Sequence, residues 1–166
     1  MLEIGCGAGE RLAWLQANQG YDCSGIEPSA QAVACAKASG INATQGTAEH
    51  LPYDNATFEI VIFGFCLYLC DRSDLFRIAS EADRVLKSPG WLLIYDFYAD
   101  KPTRRPYHHA QGLYSYKMDY RSLFSWHPSY TCYKHEILHH MDSCFTDDPQ
   151  EWVALSVLRK EQHWSD

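Results

Sequence analysis

Two short segments carry residue types whose spacing suits a nucleoside-bearing ligand. In Glu3-Ile4-Gly5-Cys6-Gly7-Ala8-Gly9, three glycines alternate between an apolar stretch and a helical pattern. Glycine permits backbone angles and a closeness of approach that a Cβ forbids, so a ligand can lie against the main chain where a helix begins. A dinucleotide fingerprint begun at Gly5 would need its third glycine at position 10, which is Glu10 here. A carboxylate at that helix start opposes a pyrophosphate, so a cationic or zwitterionic ligand fits better. Further along, 22 positions after Gly5, comes Glu27-Pro28. A carboxylate there can accept hydrogen bonds from both hydroxyls of a ribose.

These residues need a frame that brings them to one edge. Apolar and helical patterns alternate: a strand ending at Leu2 and Ile4, a helix over Arg11 to Gln19, a strand over Tyr21 to Ile26, a helix over Ala30 to Ser39, and a short strand over Ile41 to Gly46. Phe58 to Phe65 suits a strand buried on both faces, Ser73 caps a helix through Leu86, and Trp91 to Phe97 forms a fifth strand after Ser88-Pro89-Gly90. Helices in three of the four connections predict an α/β, doubly wound, mostly parallel sheet. After Asp96 the pattern changes. Asp100 to Pro106 reads as a loop, Asp119 to Phe124 as one or two helical turns, and Tyr130 to Leu138 and Trp152 to Leu158 as strands. One domain is expected over residues 1–166, with a cofactor-binding half to residue 98 and a substrate-side half from 99.

In such sheets ligands bind at the carboxyl ends of the strands, where the glycine turn and Glu27 both fall. Aromatic residues near the fourth and fifth strand ends, Phe65, Tyr68, Phe97 and Tyr98, could line an apolar pocket or pack the core. Asp96, His108 and His109 are the nearest candidates to take a proton from an acceptor hydroxyl. His135 and His139 lack a third well-spaced partner, and no metal site is expected.

Composition narrows the function classes. Of 166 residues, 46% are hydrophobic and 21% charged, enough apolar side chain to fill a core. The net charge of −7 repels phosphate polymers, so nucleic acid is not the expected partner. The apolar run from Ile60 to Cys70 is too short for a spanning helix, and no secretory signal pattern opens the chain. Seven cysteines, an odd number without C-x-x-C spacing, read as reduced thiols of a cytoplasmic protein.

With those motifs in place, the chain resembles the class I S-adenosylmethionine-dependent methyltransferases, in particular small-molecule enzymes of the quinone-biosynthesis type, over roughly Met1 to Phe97 and more loosely Trp152 to Lys160. The resemblance implies a seven-stranded Rossmann-like sheet whose C-terminal strand is antiparallel, with S-adenosylmethionine as cofactor. It assigns Glu3, Gly5, Cys6, Gly7 and Gly9 to the cofactor's amino-acid end, Glu27 and Pro28 to the ribose, Ala48 and Glu49 to the adenine side, and Gly64, Phe65 and Cys66 to the turn beneath the methionine portion. Thr47 stands where the family often has aspartate. The implied activity is methyl transfer to a small-molecule acceptor, at oxygen or carbon in preference to nitrogen, with Asp96 and His108 as candidate catalytic residues. A non-catalytic cofactor-binding module is the alternative. The glycine turn begins so near Met1 that this sequence is expected to lack the family's usual leading segment. Either the true start lies upstream, or the tyrosine-rich stretch after Asp96 closes the site; a homodimer is one way to protect the apolar surface left uncovered.

Overall fold

A computed structural model describes residues 1–107, 112–141 and 144–161. The chain runs β1 (Leu2–Ile4), α1 (Glu10–Gln19), β2 (Ser24–Glu27), α2 (Ala30–Ala38), β3 (Asn42–Gln45), β4 (Phe58–Gly64), α3 (Leu75–Val85), β5 (Leu86–Phe97), β6 (Thr103–Pro106), β7 (Tyr114–Lys117), β8 (Tyr130–His139) and β9 (Trp152–Lys160). Single 3₁₀ turns occupy Leu67–Leu69, Arg72–Asp74 and Tyr120–Leu123. Seven strands form one sheet in the order β3-β2-β1-β4-β5-β9-β8. Pairings from β3 across to β5 are parallel, and β9 alone runs opposite to its neighbours. The expected Rossmann-like sheet with an antiparallel C-terminal strand is therefore present.

This order sets the site. The chain leaves β1 toward β2 and β3, then returns to the other side of β1 as β4, so the connections diverge above β1 and β4. A crevice opens at such a reversal, at the carboxyl ends of the strands.

Both layers hold the crevice by packing. On one face, Ile78, Ala82 and Val85 project from α3 at helical spacing onto Val61, Phe63, Leu92 and Ile94 of the sheet. Full burial of each large aliphatic side chain contributes about 1.5–3 kcal/mol. On the other face Leu12 of α1 and Val33 and Ala36 of α2 pack with Cys6, Cys23, Ile41 and Ala43. Beyond α1 on that side, Ile60, Ile62, Trp91, Leu93, Tyr95 and Leu155 line an apolar groove of about 630 Å³ on the sheet.

Three expectations change. The helix before β5 ends at Val85, and β5 begins at Leu86, not Trp91. Between Phe58↔Leu86 and Ile60↔Trp91 the ladder shifts register, because Pro89 has no N–H to donate and the extra residues are taken up as an irregularity. The helix start moves too: Asp71 accepts from the Ser73 N–H at 3.0 Å and starts a 3₁₀ turn over Arg72–Asp74, and α3 begins at Leu75 with Asp74, not Ser73, at its cap position. Finally, the segment read as a loop over Asp100 to Pro106 contains β6, paired antiparallel with β7. All four β6 residues are exposed, so no alternation of apolar side chains marked it.

Candidate functional site

The glycine turn is built by main-chain hydrogen bonds to the neighbouring strand. The Gly5 and Cys6 N–H groups both donate to the Ile26 carbonyl, at 2.8 and 3.2 Å. Gly5, Gly7 and Gly9 all have positive φ, at 77°, 54° and 77°. Gly5 is needed for closeness as well, since a Cβ there would stand 2.4 Å from the Cβ of Cys66. Gly9 caps α1, and its missing Cβ leaves room for Ala36 at 3.0 Å. At Gly7 a Cβ would meet nothing within 4 Å.

Glu27 ties this turn to the end of β2. One carboxylate oxygen accepts from the Gly7 N–H at 3.2 Å and the other from the Ser29 N–H at 3.0 Å. A carboxylate has about four acceptor positions, so the group is fixed in place and keeps capacity toward the cleft. Glu3, only 3% exposed, pairs through Oε1 with Arg11, while its Oε2 is the single buried side-chain polar atom without a partner among the described residues. Burial pushes the Glu3 carboxyl up and the Arg11 guanidinium pulls it down.

The end of β4 forms the opposite lip. Phe65 adopts φ 55°, a left-handed conformation that a bulky residue rarely holds and that persists only where the surroundings impose it. Asp96 imposes it. This carboxylate, 2% exposed, accepts from the N–H groups of Cys66 at 3.1 Å, Leu67 at 2.8 Å and Phe97 at 2.8 Å. Burial raises its pKa to about 7, outweighing those hydrogen bonds. Arg72 fixes the same turn from below. Its guanidinium donates to the carbonyls of Leu67 and Cys70 and to the Tyr120 hydroxyl, and lies 4.3 Å from the Tyr116 ring centre.

Between the two lips lies a cleft of about 310 Å³. Gly5, Glu27, Pro28, Ala48, Glu49, Phe65 and Cys66 line it, so seven of the residues singled out from the sequence converge on one space. Glu3, Cys6, Gly7, Gly9 and Gly64 fall outside the lining. Cys6 packs into the α1/α2 core, and a Cβ on Gly64 would strike Arg11 at 2.0 Å and Glu3 Oε1 at 2.5 Å. Asp96 also lies outside, held beneath the β4 turn, and His108 and His109 lie outside the described residues. Cys70, Asp71 and Asp74 line the cleft without having been anticipated. The apolar run ending in Cys70-Asp71 was the available signal. With Glu27 and Glu49 they give a lining that contains four carboxylates and no lysine or arginine. Such a cleft favours a ligand carrying positive charge.

Aromatic rings continue from Phe65. Its ring stands 5.3 Å from Phe97, which stands 5.0 Å from Tyr68 and 5.5 Å from His140. Tyr98 belongs to another group, against His135 and Trp152. His135 is bonded to Ser156 and His140 to Glu151.

Comparison with known proteins decides the family. The sequence matches the methyltransferase domain family over residues 2–94, more than half of the chain. The chain belongs to the methyltransferase domain family. This domain is 33% identical over 108 residues to the uncharacterized methyltransferase YcgJ of Bacillus subtilis, a match that takes in 60% of this chain and 41% of that protein. It is 33% identical over 110 residues to norajmaline N-methyltransferase of Rauvolfia serpentina, covering 61% of this chain and 36% of that one. Among solved structures, 1,6-didemethyltoxoflavin-N1-methyltransferase of Burkholderia thailandensis superposes with a TM-score of 0.74 at 14% identity, over 97% of this chain and 70% of that chain. The methyltransferase domain thus spans less than half the length of these curated relatives. S-adenosylmethionine is the family's cofactor. Its sulfonium and ammonium charges suit the carboxylate-lined cleft.

Proposed function

We propose that this methyltransferase domain moves a methyl group from S-adenosylmethionine to a small-molecule acceptor. The observation that carries the reading is the convergence of Glu27, Gly5 of the glycine turn and the strained Phe65 turn on one carboxylate-lined cleft. Glu27 would accept from the ribose hydroxyls, Ala48 and Glu49 would flank the adenine, and Glu3 with the turn from Gly5 through Cys6 and Gly7 to Gly9 would hold the amino-acid end. Gly64, Phe65 and Cys66 would form the floor. When bound, the cofactor supplies a methyl carbon on a positively charged sulfur, ready for in-line displacement.

The protein's own work is then positioning. Reacting atoms must be held at about 3–3.5 Å and in line, and water must be kept from them. Phe65, Phe97 and Tyr68 offer an apolar wall beside the cleft, and aromatic faces tolerate a nearby cation. Asp96, with both oxygens engaged by main-chain N–H groups, serves as a positioning residue for that wall. His108 is retained as the candidate proton acceptor. Oxygen and carbon acceptors are expected from the sequence, whereas two relatives are named for methyl transfer to nitrogen. The test is release of S-adenosylhomocysteine from S-adenosylmethionine in the presence of phenols, enols and amines, with mass spectrometry of the methylated product. Acceptor-dependent release supports the reading; no turnover across all three classes by a protein that binds the cofactor contradicts it. Self-association is part of the same proposal and is read by light scattering.

A further inference from the structure

Two thiols stand in the cleft at the ends of one short turn. Cys66 and Cys70 flank Leu67–Leu69, and both line the cleft. The Cys70 thiol donates to the Cys66 carbonyl at 3.3 Å, and the two thiols are near enough to affect each other's ionisation. The neighbouring Cys70 and burial make Cys66 the harder thiol to ionise, and the neighbouring Cys66 thiol with the Arg72 guanidinium makes Cys70 the easier one. Arg72 also fixes the Cys70 backbone by donating to its carbonyl from Nε at 3.2 Å and Nη2 at 2.6 Å. None of the other five cysteines lines the cleft: Cys6 and Cys23 are buried, and Cys35, Cys132 and Cys144 are exposed elsewhere.

We infer that Cys66 and Cys70 form a paired-thiol modification site on the floor of the cofactor cleft, which takes low-molecular-weight disulfides before the cofactor binds and is shielded once it has bound. The inference rests on the cofactor reading above. Cys70 is the attacking sulfur. Its electron pair forms a new bond to one sulfur of the disulfide, the reagent's own sulfur–sulfur bond breaks, and the departing thiolate takes up the proton that Cys70 releases. Cys70 is oxidised and the departing half of the reagent is reduced, so no further oxidant is needed. Cys66 acts as a positioning residue, through its thiol beside Cys70 and its carbonyl, which accepts from the Cys70 thiol at 3.3 Å. The group left on Cys70 occupies a cleft of about 310 Å³ that the cofactor also requires, so each excludes the other.

The full chain is treated with 2,2′-dithiodipyridine, with and without saturating S-adenosylhomocysteine, whose binding to the unmodified protein is first measured by calorimetry. Cleavage after Lys37 and Arg72 releases peptide 38–72, which contains Cys66 and Cys70 and no other cysteine. The expected result is labelling at Cys70 ahead of Cys66, slowed at least tenfold by S-adenosylhomocysteine. Modified protein should fail to bind S-adenosylhomocysteine until dithiothreitol is added. Cys66→Ala should slow labelling of Cys70 about threefold for each unit by which its pKa rises, because the smaller thiolate fraction is partly offset by greater nucleophilicity. Binding of S-adenosylhomocysteine with an unchanged labelling rate, or no label on the peptide, overturns the inference and leaves the cofactor reading standing. A protein that does not bind S-adenosylhomocysteine before any treatment overturns the cofactor reading itself.

Discussion

Asp96→Asn separates the two things this carboxylate does: it organises a turn, and it places an ionisable group where water does not reach. The amide can keep one carbonyl oxygen for the Cys66 and Leu67 N–H groups, but its NH₂ must then face the N–H of Phe97, which the carboxylate now accepts at 2.8 Å. Losing that acceptor and setting donor against donor costs about 1–3 kcal/mol. The charge acts in the other direction. Burial raises Asp96 from its ordinary 3.8 to about 7, so the stability it contributes is fully present below 3.8 and is lost as pH rises through 7. Between roughly pH 5 and pH 8 the wild-type protein should lose about 2–3 kcal/mol through this group, a loss the amide cannot show. The gap in unfolding free energy between wild type and variant should therefore be widest near the acidic end and narrow by about that amount toward the alkaline end. Urea denaturation of both proteins across the range measures it, and other titrating groups cancel in the difference. A gap that stays constant, or widens with pH, would refute the reasoning, because it would mean that the main-chain N–H groups stabilise the anion more than burial opposes it.

Two further perturbations test how the lips of the cleft are held. Gly7→Ala should cost about 1 kcal/mol through its positive φ alone, while Gly5→Ala should cost about 2–3 kcal/mol more because its Cβ would collide with Cys66; equal shifts in thermal midpoint would contradict this. Arg72→Met should destabilise the fold by about 2–4 kcal/mol in chemical denaturation, since it leaves the Leu67 and Cys70 carbonyls unmatched, and should also weaken S-adenosylhomocysteine binding. Unchanged binding in that variant would mean that Asp96 holds the turn without help.

The parallel half of the sheet was legible in the sequence because its signals are local. Three glycines, a strand-end glutamate and the apolar run before Phe65 each mark a short stretch of backbone, and the sheet order brings those stretches to one edge. What Asp96 does was not legible. An acidic residue at a strand end reads as a candidate base, and only the fold shows that the N–H groups of Cys66 and Leu67, about 30 residues earlier in the chain, converge on it. Arg72 was hidden for the same reason, since its partners Tyr116 and Tyr120 come from β7 and the 3₁₀ turn after it, more than 40 residues later in the chain. The β6–β7 hairpin escaped because both strands are short and β6 is wholly exposed, so no alternation of burial was written into the residues.

The central claim is that this cleft binds S-adenosylmethionine through Glu27. Calorimetric titration with S-adenosylhomocysteine tests it most directly, on the wild-type protein and on Glu27→Gln. One binding site is expected for the wild type. The variant should lose about 1.5–3 kcal/mol, or roughly 10- to 150-fold in affinity, the contribution of hydrogen bonds to a charged acceptor. Absence of binding to the folded wild-type protein, or equal affinity in the two proteins, would contradict the account.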